Sequence, residues 1–547
     1  MHRLALSLFL PIVLLCQTAP KPEEHSVVTG RVLNAVTGEP LAKAALTLAR
    51  IDQKTEQSNW EQSYNATSGA SGGFSFRDIA PGRYRLQAQR NGFLDLEYGA
   101  HGSQHDGAVL DLTQPQEIRN AELRLSPQGV ITGRILDADG DPMNGARLQL
   151  LRVRYANGKK LFVANSSAWI NDLGEYRYAG LAPGRYYLYA EAPAHNTPLS
   201  EVQDGYVPAY YPGSTDIAGA APIDILPGTQ FRAGDMVLHK QRTVTVRGRV
   251  VVNVPGADRI QPVSVSRNIG HENATGSGSY ASVATVNRAG EFEARGLTPG
   301  SYTARVTVRN AQSAYGGSVK FDVGGSDIEN LAITVDEGLT IAGRVVVESE
   351  TREPLNELKI RFLPANIASV ATSWPGDPLA KDLTFRETHM MRDLYSIEVR
   401  NLPDGFYVKR IRTGNIDVTY TGLDLRTGAP DEIEVLLSPK AGTVSGVVQS
   451  GEKNEPTPGA TIVLVPKDPA RREIAWYYPQ AVTDQYGRVA IKSVPPGEYR
   501  AYAWEDVEST AWMDPDFMSP LAEKGTPVSV SESGALSVQV PLIPAVH

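Results

Sequence analysis

Cysteine is all but missing from this chain: Cys16 is the single one in 547 residues. Disulfides therefore cannot brace the fold, and core burial with sheet hydrogen bonds must suffice. Long apolar runs are missing beyond the first fifteen residues, which excludes a later membrane-spanning helix. A basic excess is missing too. Lys and Arg number 53 against 61 Asp and Glu, a formal charge of -8, which argues against a nucleic-acid partner. Sustained 3.6-residue apolar periodicity is not seen, so helix should be scarce. What the chain has in quantity is turn formers, 50 Gly and 37 Pro, scattered between short apolar runs. That pattern marks an all-β chain.

The N-terminus pairs a basic start, Met1-His2-Arg3, with an apolar stretch through Leu15 that is short for a bilayer span. It reads as a secretory leader, 1–19, cut between Cys16 and Pro20. A lipoprotein signal wants a small residue just before its cysteine, and Leu15 stands there, which disfavours lipidation of Cys16. The expected location is secreted, periplasmic or in the cell envelope.

One phrase recurs: Pro81-Gly82-Arg83-Tyr84, Pro183-Gly184-Arg185-Tyr186, Pro299-Gly300-Ser301-Tyr302 and Pro496-Gly497-Glu498-Tyr499, with Pro403-Asp404-Gly405-Phe406-Tyr407 as a looser copy. The glycines at 82, 184, 300, 405 and 497 are spaced by 102, 116, 105 and 92 residues. A period near one hundred is a domain rather than a solenoid repeat. Strand openings recur as well, at Thr29-Gly30-Arg31-Val32, Thr132-Gly133-Arg134-Ile135, Arg247-Gly248-Arg249-Val250, Ala342-Gly343-Arg344-Val345 and Ser445-Gly446-Val447-Val448. Before each Pro-Gly turn comes a strand such as Gly73-Phe74-Ser75-Phe76 or Gly290-Glu291-Phe292; in the fourth copy Leu394-Tyr395-Ser396-Ile397 takes that place. The expected fold is all-β: five tandem seven-stranded β-sandwich domains, prealbumin-like or Ig-like, in an elongated chain. The expected boundaries are 26–126, 128–240, 242–336, 338–438 and 440–544.

The Gly-Arg-Val openings, the Gly38-Glu39-Pro40 and Gly140-Asp141-Pro142 turns, and the Pro-Gly-x-Tyr turns resemble the carboxypeptidase regulatory-like domain, a transthyretin-like sandwich. The segment 504–517 resembles the ending of large exported proteins of acidobacteria. The resemblance implies a non-catalytic module of a kind found beside peptidases, transporters or adhesins, with related folds that bind carbohydrate. Fold alone does not fix function.

Catalytic motifs fail on inspection. No His among His101, His105, His195, His239, His271 and His389 has Glu three places on, as a zinc carboxypeptidase needs. Gly69-Ala70-Ser71-Gly72-Gly73 has the spacing of a nucleophile elbow but precedes a strand where that motif needs a helix. Asp137-Ala138-Asp139-Gly140-Asp141 suggests calcium, yet the sixth and twelfth places hold Pro142 and Leu148, so a polar hairpin turn is the simpler reading. No metal, cofactor or catalytic residue is expected.

Aromatic rings are the remaining candidates, since a sugar's apolar face packs on them. Three clusters stand out: Tyr206, Tyr210 and Tyr211; Trp476, Tyr477 and Tyr478; Trp504 and Trp512. Neighbours in an extended segment point to opposite faces, so one ring of each adjacent pair is exposed or packed on another module. Two readings stay open: a structural or adhesive string of sandwiches, or a carbohydrate-binding array. Its partner would be a polysaccharide or a cell-envelope protein, the chain itself a monomer. A third, an accessory part of a peptidase system, ranks below both.

Overall fold

The computed structural model describes residues 25–51, 58–100, 107–192, 204–257, 259–268, 280–310, 314–349, 355, 357–364, 379–451 and 455–545. The leader expected at 1–19 lies outside them with Cys16, as do His101, His105, His195 and His271. The described chain is all-β, with helix confined to short turns such as Pro469–Arg472 and Pro515–Met518.

The first stretch shows the plan. Its strands are β1 (Ser26–Asn34), β2 (Ala45–Ile51), β3 (Ser58–Thr67), β4 (Gly73–Ile79), β5 (Gly82–Gln89), β6 (Leu96–Glu97), β7 (Leu110–Leu112) and β8 (Glu117–Leu125). β1 lies between antiparallel β4 and parallel β8 in one layer. The second layer runs β3-β2-β5, with β6 and β7 both laddered on β5. In β5, Tyr84, Leu86 and Ala88 point into the core while Arg83 and Arg85 point out, the period-two signature of a half-buried strand.

The plan recurs. Opening strands Gly129–Asp137, Val244–Asn253, Leu339–Val347 and Gly442–Ser450 each pair antiparallel with the strand before the turn and parallel with a closing strand. Buried side chains gather into five large clusters, within 28–125, 131–238, 244–335, 341–437 and 444–540. Among the described residues no strand ladder joins one cluster to another. The smallest of the five still holds fourteen buried side chains. At about 1.5–3 kcal/mol for each large apolar side chain, a core of that size needs no disulfide.

Two devices explain the recurring phrases. Each opening glycine stands opposite a pre-turn side chain: Gly30 opposite Phe74, Gly133 opposite Tyr176, Gly248 opposite Phe292, Gly343 opposite Phe385 and Gly446 opposite Val489. In the first four the ring lies over the bare glycine. A methyl added at Gly248 would stand 2.5 Å from Phe292 Cζ and 2.2 Å from the Leu331 carbonyl oxygen. The glycine is there for close approach, not for turning. The second device is the tyrosine. Tyr84, Tyr186, Tyr302 and Tyr499 donate their hydroxyls to the carbonyls of Ala80, Ala182, Thr298 and Pro495, each four residues back, at 2.7–2.8 Å. The bond ties the strand to the turn that launches it.

The fourth stretch corrects the sequence reading. There Tyr395, not Tyr407, makes the four-residue bond, to the Met391 carbonyl at 3.1 Å. The pre-turn strand is Thr384–Met390, which carries Phe385 over Gly343, and 394–397 belongs to the strand after the turn. Tyr407 instead starts a strand, Tyr407–Thr413, that joins the other layer beside Ile433–Ser438. The turn here, 391–394, has neither Pro nor Gly, whereas 403–407 has both, so the Pro-Gly pattern points to the wrong one.

The elongated arrangement also needs correction. An open string brings only sequence neighbours together. Here the last stretch touches the first and the second: Gln485 bonds Asp111, Tyr486 bonds Gln116, and Glu508 pairs with Arg152 and Arg154. Pro127 and Pro439 stiffen the first and last of the four joints, but they do not set the angle at them, and the chain returns on itself.

Candidate interaction surfaces

The aromatic clusters are the first place to look, and they do not form an open platform. Tyr210, Tyr477, Tyr478, Trp504 and Trp512 are each 5% exposed or less. A buried ring has no face to offer a sugar, so the expectation of exposed aromatic loops fails for these five. Tyr206, Tyr211 and Trp476 are half-buried. Tyr206 donates to Asp137 Oδ2 at 3.3 Å and lies under the Lys240 ammonium, 5.0 Å from the ring centre. Tyr211 accepts from the Gly234 amide at 3.4 Å and packs on the second core. Tyr210 faces the other way, into a small cluster with Leu151 and Tyr189.

Trp476, Tyr477 and Tyr478 diverge. Tyr477 packs edge-on against Tyr420 of the preceding stretch, centroids 5.1 Å apart. Tyr478 turns inward and donates to the Arg472 carbonyl at 3.0 Å. Burial holds the Tyr478 phenol neutral, its pKa pushed up to about 12. Trp504 stacks between Tyr502 and Trp512, centroids 5.5 and 6.2 Å away. With Tyr478, Met513 and Phe517 they build a second core on the outer face of the last sandwich, and Tyr155 of the second stretch packs against it.

The motifs weighed for chemistry prove to be turns. Asp137 Oδ1 accepts the amides of Asp139 and Asp141 at 3.0 and 2.9 Å, and these bonds lower its pKa. Ser71 is exposed in a tight turn closed by the Gly69 amide on the Gly73 carbonyl, 2.9 Å. Among the described residues no three His, Cys, Asp or Glu side chains gather as metal ligands would.

Sequence reading missed a recurring arginine. Arg50, Arg152 and Arg267 stand opposite Tyr84, Tyr186 and Tyr302 in the ladder. Arg267 is the fullest case. It donates to the Pro299 carbonyl at 2.6 Å and to the hydroxyls of Thr298 and Tyr302 at 3.0 Å. Arg50 reaches the Pro81 carbonyl at 3.2 Å. In the last stretch Arg471, from the short helix, does the same for Pro496 and Tyr499 at 3.0 and 3.1 Å. In the second, Arg152 lies 5.8 Å from the Tyr186 ring centre and is turned toward Glu508. Aligning the copies on their tyrosines would have exposed three of these four.

One sizeable cleft, about 710 Å³, opens between the first and last sandwiches. Its walls include Arg83, Arg85 and Asp111 on one side and Asp484, Arg488 and Ser537 on the other. Arg85 is paired with Glu97 at 3.0 Å, so the lining mixes both signs.

Comparison with known proteins fits the first sandwich. Residues 27–118 match the carboxypeptidase regulatory-like domain. The match covers the span from β1 into β8. No curated protein matches the chain. Among solved structures, the minor pilin GBS52 of Streptococcus agalactiae aligns at 15% identity over 40% of this chain and 96% of its own, with a TM-score of 0.23. The shaft pilin SpaA of Lactobacillus rhamnosus GG aligns at 14% over 40% and 97%, TM-score 0.18. The Bacillus anthracis TIE protein aligns at 13% over 57% and 51%, TM-score 0.17. Likeness this distant transfers nothing of what those proteins do.

Proposed function

We propose that this chain is a non-enzymatic, exported structural or adhesive protein of five sandwich domains, bounded at 26–126, 128–240, 242–336, 338–438 and 440–544. One observation carries the reading most directly. Side chains that sequence offers for chemistry are spent on turns and on contacts between sandwiches. Asp137 caps a hairpin, Arg267 locks a Pro-Gly turn, and Tyr477 packs on Tyr420. The carboxypeptidase regulatory-like match at 27–118 supports a module that works by contact. The leader at 1–19 supports a place outside the cytoplasm, secreted, periplasmic or in the envelope, with the chain a monomer.

Its partner is a polysaccharide or a protein of the cell envelope. The half-buried rings Tyr206, Tyr211 and Trp476 keep the glycan reading open. Binding of the intact protein to arrayed cell-wall and plant polysaccharides tests it. Saturable binding that falls at least tenfold in Trp476→Ala or Tyr211→Ala supports glycan contact. Absence of binding to every polymer leaves the structural role. Turnover of a peptide or glycoside substrate by the purified chain would refute the non-enzymatic reading.

A further inference from the structure

The strongest unexplained feature is that the last sandwich touches two others that are far away in sequence. We propose that it is a clasp, docking on the first and second sandwiches together and holding the chain closed. The proposal holds whatever the protein binds. Each dock is built, and the two differ in chemistry.

The dock on the first sandwich is made of backbone and amide. β7 is an edge strand, and an edge strand leaves amides and carbonyls unpaired. The Gln485 carboxamide takes both groups of its middle residue. Its Oε1 accepts from the Asp111 amide at 3.2 Å, and its Nε2 donates to the Asp111 carbonyl at 3.3 Å. Gln116 Nε2 donates to the same carbonyl at 2.5 Å, so two carboxamides stand where a partner strand would pair. Beside it Tyr486 donates to Gln116 Oε1 at 2.6 Å. Two turns meet nearby at Gly99 and Gly459, both with positive φ, +78° and +73°. A methyl on Gly459 would lie 1.7 Å from the Gly99 carbonyl oxygen. Side chains do not fit there while the two sandwiches touch.

The dock on the second sandwich is ionic and aromatic. Glu508 sits between two guanidiniums, 3.3 Å from Arg152 and 2.5 Å from Arg154. Lys160 lies 3.4 Å from Asp514, whose side chain is 9% exposed. Phe517 meets Tyr155 edge-on at 6.2 Å, and a methyl on Gly158 would lie 2.8 Å from the Met513 carbonyl oxygen. One partner brings Arg152, Arg154 and Lys160, the other Glu508 and Asp514, so opposite charges face each other. The loop that presents Glu508 is strained: Thr510, β-branched, has φ of +61°. Strain of that kind persists where surrounding contacts over-determine it. Here Asp514 and Met513, just beyond, are held against the second sandwich. The 710 Å³ cleft between first and last sandwiches is then a product of closure.

Dimension and a cross-link test this together. Domains of about 100 residues have radii of gyration near 13 Å; five in a closed ring give about 30 Å and five in an open line about 49 Å. X-ray scattering of the intact protein at low salt should give a value near the first. A zero-length carbodiimide should join Lys160 to Asp514 within one chain. Glu508→Arg should open that dock and abolish the link while sheet content by circular dichroism is unchanged. Gly459→Val should open the other dock and raise the radius of gyration further when combined with Glu508→Arg. If either variant misfolds, Gln485→Ala with Glu508→Gln weakens both docks without a steric clash and should still lengthen the particle. A wild-type radius near the open value, or a 160–514 link found only between two chains, overturns the clasp.

Discussion

Adding one methyl group to an opening strand should damage the core at Gly248 and spare it at Gly446. At Gly248 the added carbon meets the Leu331 carbonyl at 2.2 Å and Phe292 Cζ at 2.5 Å. The ring can tilt, but the carbonyl belongs to the parallel partner strand and moves only if the ladder opens. Overpacking costs about 1–3 kcal/mol, and an immovable backbone atom puts Gly248→Ala near the top of that range. At Gly446 the nearest atoms are Val489 Cγ1 at 3.0 Å and Ile462 Cδ1 at 3.4 Å, both methyls. No backbone atom blocks the space, and alanine there gains about 0.4–1 kcal/mol by restricting the unfolded chain. The cost at Gly248 alone, about 3 kcal/mol, is a factor of roughly one hundred in local opening. Hydrogen exchange on the intact protein reads it strand by strand. Protection across 244–253 and 328–336 should fall about a hundredfold in Gly248→Ala, while 442–450 in Gly446→Ala should hold. Equal losses at the two sites, or none at Gly248, would refute the account of why the openings carry glycine.

Other expectations follow from single contacts. Tyr176 lies over Gly133, and its buried hydroxyl has no hydrogen-bond partner among the described residues. Tyr176→Phe removes that orphan and should raise the melting temperature of the second sandwich, by about 1 kcal/mol in stability. Arg267→Lys breaks the fork that holds Pro299, Thr298 and Tyr302, and should cost the third sandwich about 1–3 kcal/mol in urea unfolding followed by exchange. Alkaline pH should melt the cores. Burial pushes the Tyr395 and Tyr499 phenols up to about 12 from an ordinary value of 10. Their stabilisation is complete below pH 10 and is lost toward pH 12, because the unfolded phenols ionise first; each contributes roughly 1.4 kcal/mol per pH unit in that window. Thermal melts from pH 9 to 12 should show the fall, and Tyr395→Phe should flatten it in the fourth sandwich.

Much of the repeat was legible because it is local. Pro81-Gly82 makes its turn by fixed backbone angles, and alternation in 82–89 sets which side chains point inward. Where local signals weakened, reading slipped. The 391–394 turn lacks Pro and Gly, so the sequence points to Tyr407 where the fold uses Tyr395. The glycines of the opening strands were visible, but their reason was not. The Phe292 ring that covers Gly248 lies 44 residues away in sequence, and only the antiparallel register puts it there.

The aromatic clusters show the same divide. A string such as Trp476-Tyr477-Tyr478 states that large rings are present and cannot say which are covered. Tyr477 is hidden by Tyr420, and the Trp504 stack is flanked by Tyr155, both contacts set by how one sandwich sits on another. Sequence alone determined an all-β chain of repeated units closed by Pro-Gly turns, because strand period and turn angles are encoded over a few neighbouring residues. Tertiary structure alone decided that Glu508 meets Arg152 and Gln485 meets Asp111, because pairs 356 and 374 residues apart depend on the sum of every joint between them.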